Sequence, residues 1–427
     1  MGLRFFSDKN RPVHLGPFPL ERAARGAMQD PATIPPHPGL SFVRPEDPAS
    51  IVNAMADYQA MMDAIRDGFV NKARSRFTDD VAERANHLKA FGYFSDATMV
   101  GIGPLLPEAH LDTPRQNPDI DRLSNDLKTR QTKTLASGID MIMADLKESM
   151  EAPPSTIDGH HTALVFLYEI PRDPKQGETG TEWITGAQAH RACLRATETA
   201  VVIANYIRLL GWDGKAHTAT STDVDLNICT VSGGLAVAKN GRLVNPWLGD
   251  RFGVAVVTTT LDLAQDAPLA TAQPKSLTKG LAWKLGTISA RSGLNPNPFD
   301  SRRYVDGPHP FETLKRVDTP TTYIDEPNVP RVPKRADLFA RAQFGDMGKK
   351  LQDGAKGGYY ARKAAPSSAQ RRMLGAFVLL QDGPPENGSR PANLQNNANA
   401  IKATAYWLGV DALGISRCPD WTWYSHD

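Results

Sequence analysis

The sequence has little cysteine: three in 427 residues, at Cys193, Cys229 and Cys418. They stand far apart and form no CxxC pair, so they offer no disulfide framework, zinc ribbon or iron–sulfur binding run. Their apolar neighbours fit buried or incidental thiols. Long apolar runs are missing too, and none approaches the roughly 18 residues of a membrane-spanning helix. The opening stretch, MGLRFFSDKNRPVHLG, has no apolar core, so no secretory signal is expected. Phe6 stands where myristoylation prefers Ser or Thr. An excess of one charge is also absent, since 49 basic and 47 acidic side chains leave +2. Such a chain has no electrostatic pull toward nucleic acid or membrane. The expectation is a cytoplasmic protein with neither as partner. The signatures GxxxxGK[ST], GxGxxG after a strand, HExxH and GxSxG do not occur.

What is present is ordinary globular material, 41% hydrophobic and 22% charged, long enough for two or three domains. Residues 1–48 are proline-rich and read as an extended arm lying on a folded body. Ile51, Met55, Tyr58, Met62 and Ile65 fall at helical steps over 49–71. Thr78-Asp79-Asp80 caps a second helix to about Phe91, followed by a short strand over 97–102. A helix over 123–150 ends at Pro153-Pro154. His161–Ile170, bounded by Gly159 and Pro171, reads as a buried central strand. Residues 186–210 carry one apolar stripe, and Gly211 stands as the C-cap. A short helix is expected over 225–239, ending at Asn240-Gly241, and a strand over 253–263. Residues 266–335 read as a connector after a domain over 49–265. A new pattern starts at 336, with helices at DLFARAQFGDMG and near 369–380 around a bend at Gly357-Gly358. Alternating helices and strands make the class α/β or α+β.

The chain also repeats itself. Residues 398–415 align without a gap on 85–102, 313 positions earlier. Ala85/Ala398, Asn86/Asn399, Lys89/Lys402, Ala90/Ala403, Tyr93/Tyr406, Gly101/Gly414 and Ile102/Ile415 are identical, and Leu88/Ile401 and Phe94/Trp407 are close swaps. Each copy reads as a helix running into a strand. The expectation is one full domain followed by the opening of a second of the same kind.

Candidate chemistry is sparse. His160-His161 at a strand entry point to opposite faces, which disfavours a shared metal ion. Ser232-Gly233-Gly234 could present amides to an anion, although such a pair more often marks tight packing. The run CPDWTWYSHD from Cys418 follows the repeat strand, where α/β folds place reactive groups. A tyrosine hydroxyl, with an ordinary pKa of about 10, can give its proton to a strongly basic carbanion. The tryptophans beside it could wall an apolar pocket, or simply fill a core.

Two stretches carry a resemblance. They are Arg331 to Asp346, an Arg-x6-Leu-Phe-x-Arg-Ala-x-x-Gly-Asp pattern, and Leu408 to Ile415 (LGVDALGI) followed by WTWYSH. The region they bracket, 329–427, is similar to the opening of the catalytic domain of the cobamide-dependent reductive dehalogenases. The longer front part resembles the extension of the cytoplasmic, non-respiratory branch, a degenerate first copy of the same domain. The resemblance implies an α+β, nitroreductase-like fold and reductive removal of halide from an organohalide, often a halogenated aromatic. It implies a base-off cobamide facing the substrate and two 4Fe-4S clusters fed by an electron donor such as a ferredoxin or reductase domain. It also implies proton donation by Tyr424, with Trp421, Trp423, Ser425 and His426 beside the cofactor. The family's Cys-rich cluster-binding runs are absent from this sequence. The resemblance therefore implies the N-terminal portion of a longer protein, with 336–427 the beginning of its catalytic domain. The alternative is a non-catalytic scaffold or partner-binding domain.

Overall fold

A computed structural model describes residues 16, 18, 20–41, 51–123, 155–171, 173, 176, 186–273, 314–319, 321–355, 366, 369–370, 393–410 and 412–426. In chain order the helices are α1 (Ile51–Ala64), α2 (Val81–Phe94), α3 (Gln188–Leu210), α4 (Leu226–Ser232), α5 (Leu338–Phe344), α6 (Lys349–Ala355) and α7 (Leu394–Leu408). The strands are β1 (Met99–Pro104), β2 (His110–Arg115), β3 (Thr162–Glu169), β4 (Gly214–His217), β5 (Thr222–Val224), β6 (Val237–Lys239), β7 (Arg242–Val244) and β8 (Phe252–Thr259). The expected helices over 123–150 and 369–380, and the bend at 357–358, lie almost wholly outside the described residues. Among the described residues, no helix is long and apolar enough to cross a membrane.

The main sheet has the order β1-β3-β8-β4, with every neighbour pair antiparallel. Its centre is β3 against β8, in register from Thr162↔Thr259 to Glu169↔Phe252. The apolar run of β3 is therefore a central strand, and the pleat divides it. Leu164, Phe166 and Tyr168 enter one core with Leu88, Phe91, Ala196, Ile203 and Ile207. Ala163, Val165 and Leu167 enter another with Val231, Leu235, Val254 and Val256. α3 covers the first face and α4 the second. Because side chains alternate along a strand, a run buried on both faces must be apolar at every step. The N-terminal arm joins the second core through Phe18, Leu20, Ala23 and Ile34. A bridge of Arg25 to Leu269 ties the arm to the chain beyond β8.

Caps set most boundaries. Asp80 accepts from the amides of Ala82 and Glu83 at the start of α2. Gly211, at φ 97°, ends α3 as expected. One expectation is corrected. The helix read over 225–239 stops at Ser232, because Gly233 and the left-handed Gly234 (φ 67°) end it. Residues 237–244 form the hairpin β6–β7 instead. Asn240 and Gly241, both at positive φ, supply its two-residue turn.

The body also holds a buried polar cluster. Asp63 accepts from Gln59, Asn117, Thr218 and Thr220, and burial pushes its carboxyl up. Lys215, 3% exposed, lies 2.6 Å from Asp223, and Arg66 lies 3.1 Å from the same residue. Burial opposes ionisation there, yet Arg66, His217 and Lys215 hold Asp223 down at about 2. Burial pushes His217 well below the usual histidine range and His37 to about 4. Unfolded, both bind protons near pH 6.5, so between that value and their folded values the unfolded state binds more. Stability is thus full above about pH 6.5 and falls as the pH drops toward 4, by on the order of 1–3 kcal/mol. Urea melts at pH 7.5 and pH 4.5 check this, and His37→Gln should flatten part of the slope.

β1 also fixes a steric demand. A Cβ on Gly101 would run into the Gly233 carbonyl and the Leu235 side chain. Gly101→Ala should cost about 1–3 kcal/mol by overpacking, read as a lowered urea midpoint.

Candidate active-site segment

The two stretches that carried the sequence resemblance meet in space, through residues 92 and 93 positions apart. The Arg331 Nε donates to the Trp423 carbonyl at 3.0 Å, and its Nη2 donates to the Tyr424 carbonyl at 2.5 Å. The Ser425 amide donates to Val332 O, and the Lys334 amide to His426 O, each at 2.9 Å. Four bonds thus hold 423–426 against 331–334. The Asp337 charge acts on the Tyr424 phenol. Asp337 is itself fixed as the N-cap of α5, accepting from Phe339 N at 2.9 Å and Ala340 N at 3.3 Å. Those amides, with the tyrosine, hold its carboxyl below the usual range, while the Asp337 charge holds the Tyr424 phenol above 10.

The rest of the motif builds this support. Gly345, at φ 89°, ends α5. It turns the chain so that Asp346 meets Arg335 through two bonds, of 2.7 and 3.0 Å. A paired guanidinium fork of this kind is geometrically specific. Arg341 lies 3.5 Å from Asp346, and the Arg335 guanidinium stacks 4.3 Å over the Phe344 ring. Of the expected site residues, Tyr424 is 45% and Trp423 60% exposed, Trp421 is half-buried, and Ser425 and His426 are exposed and bond to each other at 3.0 Å. Sequence reasoning missed Asp337 and left Arg331 without a role. An Asp just before LFARAQF is a helix-start signal that could have pointed to the first.

The repeat extends into structure. α2 follows the cap Asp80, and α7 follows Asn393, 313 positions on. Each helix is followed by a left-handed residue at the matching place, Asp96 (φ 67°) and Gly409 (φ 100°). In each, a helix tyrosine accepts from the amide seven residues later, Val100 to Tyr93 at 3.2 Å and Leu413 to Tyr406 at 3.4 Å. The expected second strand is corrected, however. Residues 412–415 take no strand pairing among the described residues, because a strand exists only against a partner, as β1 does against β3. α7 meets the first body through Trp407, 2% exposed among Ile51, Met55, Ala187 and Leu194, with Arg191 over its ring at 5.8 Å.

Other candidates resolve as packing. His160 is buried on Thr258, and His161 faces outward on Asp262. The Gly233 and Gly234 amides are spent on Cys229 O and Val231 O. Ser232 Oγ bonds to Pro104 O.

No family model and no curated protein matches the chain, but solved structures do. NpRdhA, a catabolic reductive dehalogenase in N-terminally tagged form, superposes with a TM-score of 0.73 at 30% identity, over 100% of this chain and 55% of its own. The same enzyme with 3-bromo-4-hydroxybenzoic acid gives the same values. A reductive dehalogenase whose structure bears on B12-dependent dehalogenation gives 0.72 and 30%, over 99% and 54%. Over its whole length the chain is similar in fold to these reductive dehalogenases. It spans about half the length of these relatives.

The residues present can be tested against that chemistry. Each 4Fe-4S cluster takes four thiolates. This chain has three cysteines, one buried on α4, one on α3 and one exposed, and burial pushes the first two thiols up. Two clusters do not fit them. A corrin needs a broad socket, whereas Trp423 and Tyr424 lie at the surface. A cavity of about 90 Å³ beside Arg25, Lys89, Tyr93 and Asp266 is lined by none of the expected cofactor residues. Among the described residues, the expected cofactor residues line no enclosed socket.

Trp407 is the strongest anchor of α7. Trp407→Ala should cost about 3–5 kcal/mol of that contact. Proteolysis near 394–410 should quicken while the unfolding of the first body stays unchanged.

Proposed function

We propose that this chain is the front portion of a cobamide-dependent reductive dehalogenase of the cytoplasmic, non-respiratory kind, and that it supplies the proton donor, Tyr424. The observation that carries this reading is the whole-chain likeness to reductive dehalogenases at 30% identity, joined to the lock between the two motif stretches. In the complete reaction two electrons and one proton turn a carbon–halogen bond into carbon–hydrogen and release halide. The cobamide, with two 4Fe-4S clusters and a ferredoxin or reductase domain behind them, would deliver the electrons. The bromohydroxybenzoate bound to NpRdhA supports a halogenated aromatic as the substrate class.

In this reading Tyr424 gives its hydroxyl proton to the carbon that loses halide. A phenol is protonated at neutral pH, and the Asp337 charge deepens that state. Trp421, Trp423, Ser425 and His426 would line the cofactor side. The matched caps and tyrosine bonds support a duplicated, nitroreductase-like domain. The first copy, about 49–265, then serves as scaffold, and the second begins near 336 after the connector. The packing of Ser232 and Gly233 against β1 supports the scaffold role.

In the complete enzyme, Tyr424→Phe should lower kcat by about 10²–10⁴-fold and leave KM nearly unchanged, because only the positioned acid is lost. Anaerobic halide release measures this, and near-normal turnover would mean that the proton comes from elsewhere. The 427-residue chain with hydroxocobalamin and a low-potential reductant should release halide no faster than free cobalamin.

A further inference from the structure

We infer that the Phe94 end of α2 is an interface: in the complete protein the second copy's counterpart of α3 covers Phe94, as α3 covers Trp407 here. The inference rests on the proposed reading of this chain as the front portion of a longer protein, and it names a contact inside that protein. What motivates it is the exposure of two matched helices. Position for position, α2 and α7 bury different faces. Leu88 is fully buried on the α3 side of the main sheet, while its counterpart Ile401 is 59% exposed. Phe94 is 74% exposed, while its counterpart Trp407 is 2% exposed. A helix that carries large apolar side chains on two faces needs a packed layer against each. α2 has the sheet of its own copy and no covering layer at Phe94. α7 has the other copy at Trp407, and the stretch after it has no strand pairing among the described residues. In this chain the two helices therefore differ by which neighbour is in place.

The contact already in place shows how the copies meet. Trp407 lies among Ile51 and Met55 of α1 and Ala187 and Leu194 of α3. Ahead of α7, Ala369 is also fully buried on the first body, and its carbonyl accepts from the Asn205 side chain at 3.4 Å. α3 thus meets the second copy towards both of its ends. The ends of α2 and α7 converge on it, one helical turn apart. Asp96 lies 3.4 Å from Arg195, and a Cβ on its counterpart Gly409 would stand 3.6 Å from Arg191. Two like domains that pack about a shared two-fold axis make each contact twice, residue i on j and j on i. The seat of Trp407 on α1 and α3 is one half of such a pair. The other half joins Phe94 to a second α3. The repeat offset of 313 places that helix beyond Asp427, in the length of NpRdhA that this chain does not span. The occupant is then an apolar helix start of the same kind as Ala187 to Leu194.

The test is hydroxyl-radical footprinting, read by mass spectrometry at Phe94, on the 427-residue chain and on the complete protein at matched radical dose. Phe94 should oxidise readily in the 427-residue chain. In the complete protein its oxidation should fall by at least about tenfold, because the core of such a contact packs like a protein interior. Ile401 should fall with it, as the second copy completes its own sheet. Equal oxidation of Phe94 in the two proteins overturns the inference. So does protection in the 427-residue chain that grows with its concentration, since the occupant would then be a second molecule of this chain. A variant gives an independent reading. A carboxylate costs little on a wet surface and much in a dry seat. Phe94→Asp should therefore leave the urea midpoint of the 427-residue chain unchanged and lower that of the complete protein. An equal shift in both, or none in either, counts against the interface. These readings do not depend on turnover. If the complete protein releases no halide yet protects Phe94, the proposed function fails and the interface stands. If it turns over with Phe94 unprotected, the interface fails and the function stands.

Discussion

Everything described in the first body hangs on the pairing of β3 with β8. Eight residue pairs run in register, and both strands are sealed above and below. A sheet interior with no wet face forces two separate cores. α3 presses on one side and α4 on the other, and each remaining element finds its place by which core it serves. α1 and α2 join the α3 side, while the N-terminal arm and the β6–β7 hairpin join the α4 side. Close approach of the α4 end to β1 requires glycine at 101 and 103, where any Cβ would meet main chain. The same approach takes up the groups that might otherwise have formed an anion site.

The second body works by a different economy of forces. Its exposed side chains include Leu338, Phe339, Phe344, Ile401, Ile415 and Trp423, so apolar burial does little there. Local caps and charge-assisted bonds hold it together instead. Asp337 caps α5, Asn393 caps α7, Arg335 grips Asp346, and Arg331 grips the carbonyls of 423 and 424. α7 buries Ala403, Tyr406 and Trp407, and Trp407 is seated between α1 and α3. Its counterpart in the first copy, Phe94, is 74% exposed. The two copies thus use the same helix position differently. One leaves it in water, and the other uses it to join the bodies.

Much was legible in the residues. Full-length apolar runs gave β3 and β8, and a stripe closed by Gly211 gave α3. The repeat pointed to a helix from 398 onward, and α7 spans Leu394–Leu408. The stretch from 225 to 244 misled because its periodicity allowed a helix, and the decisive signals were Gly233-Gly234 and Asn240-Gly241. The tyrosine loop could be singled out by its aromatics and its resemblance. Its partners could not, because nothing in the spacing of 331 and 424 says that they touch.

By itself, the sequence determined the local matters: which runs are buried on both faces, where several helices begin and end, and that one helix recurs. Each of these depends on neighbours within a few residues, so the chain alone carries it. Tertiary structure decided the rest. It put Arg331 on the Trp423 and Tyr424 carbonyls, seated Trp407 on the first body, and left 412–415 without strand pairing among the described residues. Those outcomes depend on which distant groups meet, and a strand or a proton donor has no defined form until its partner is in place.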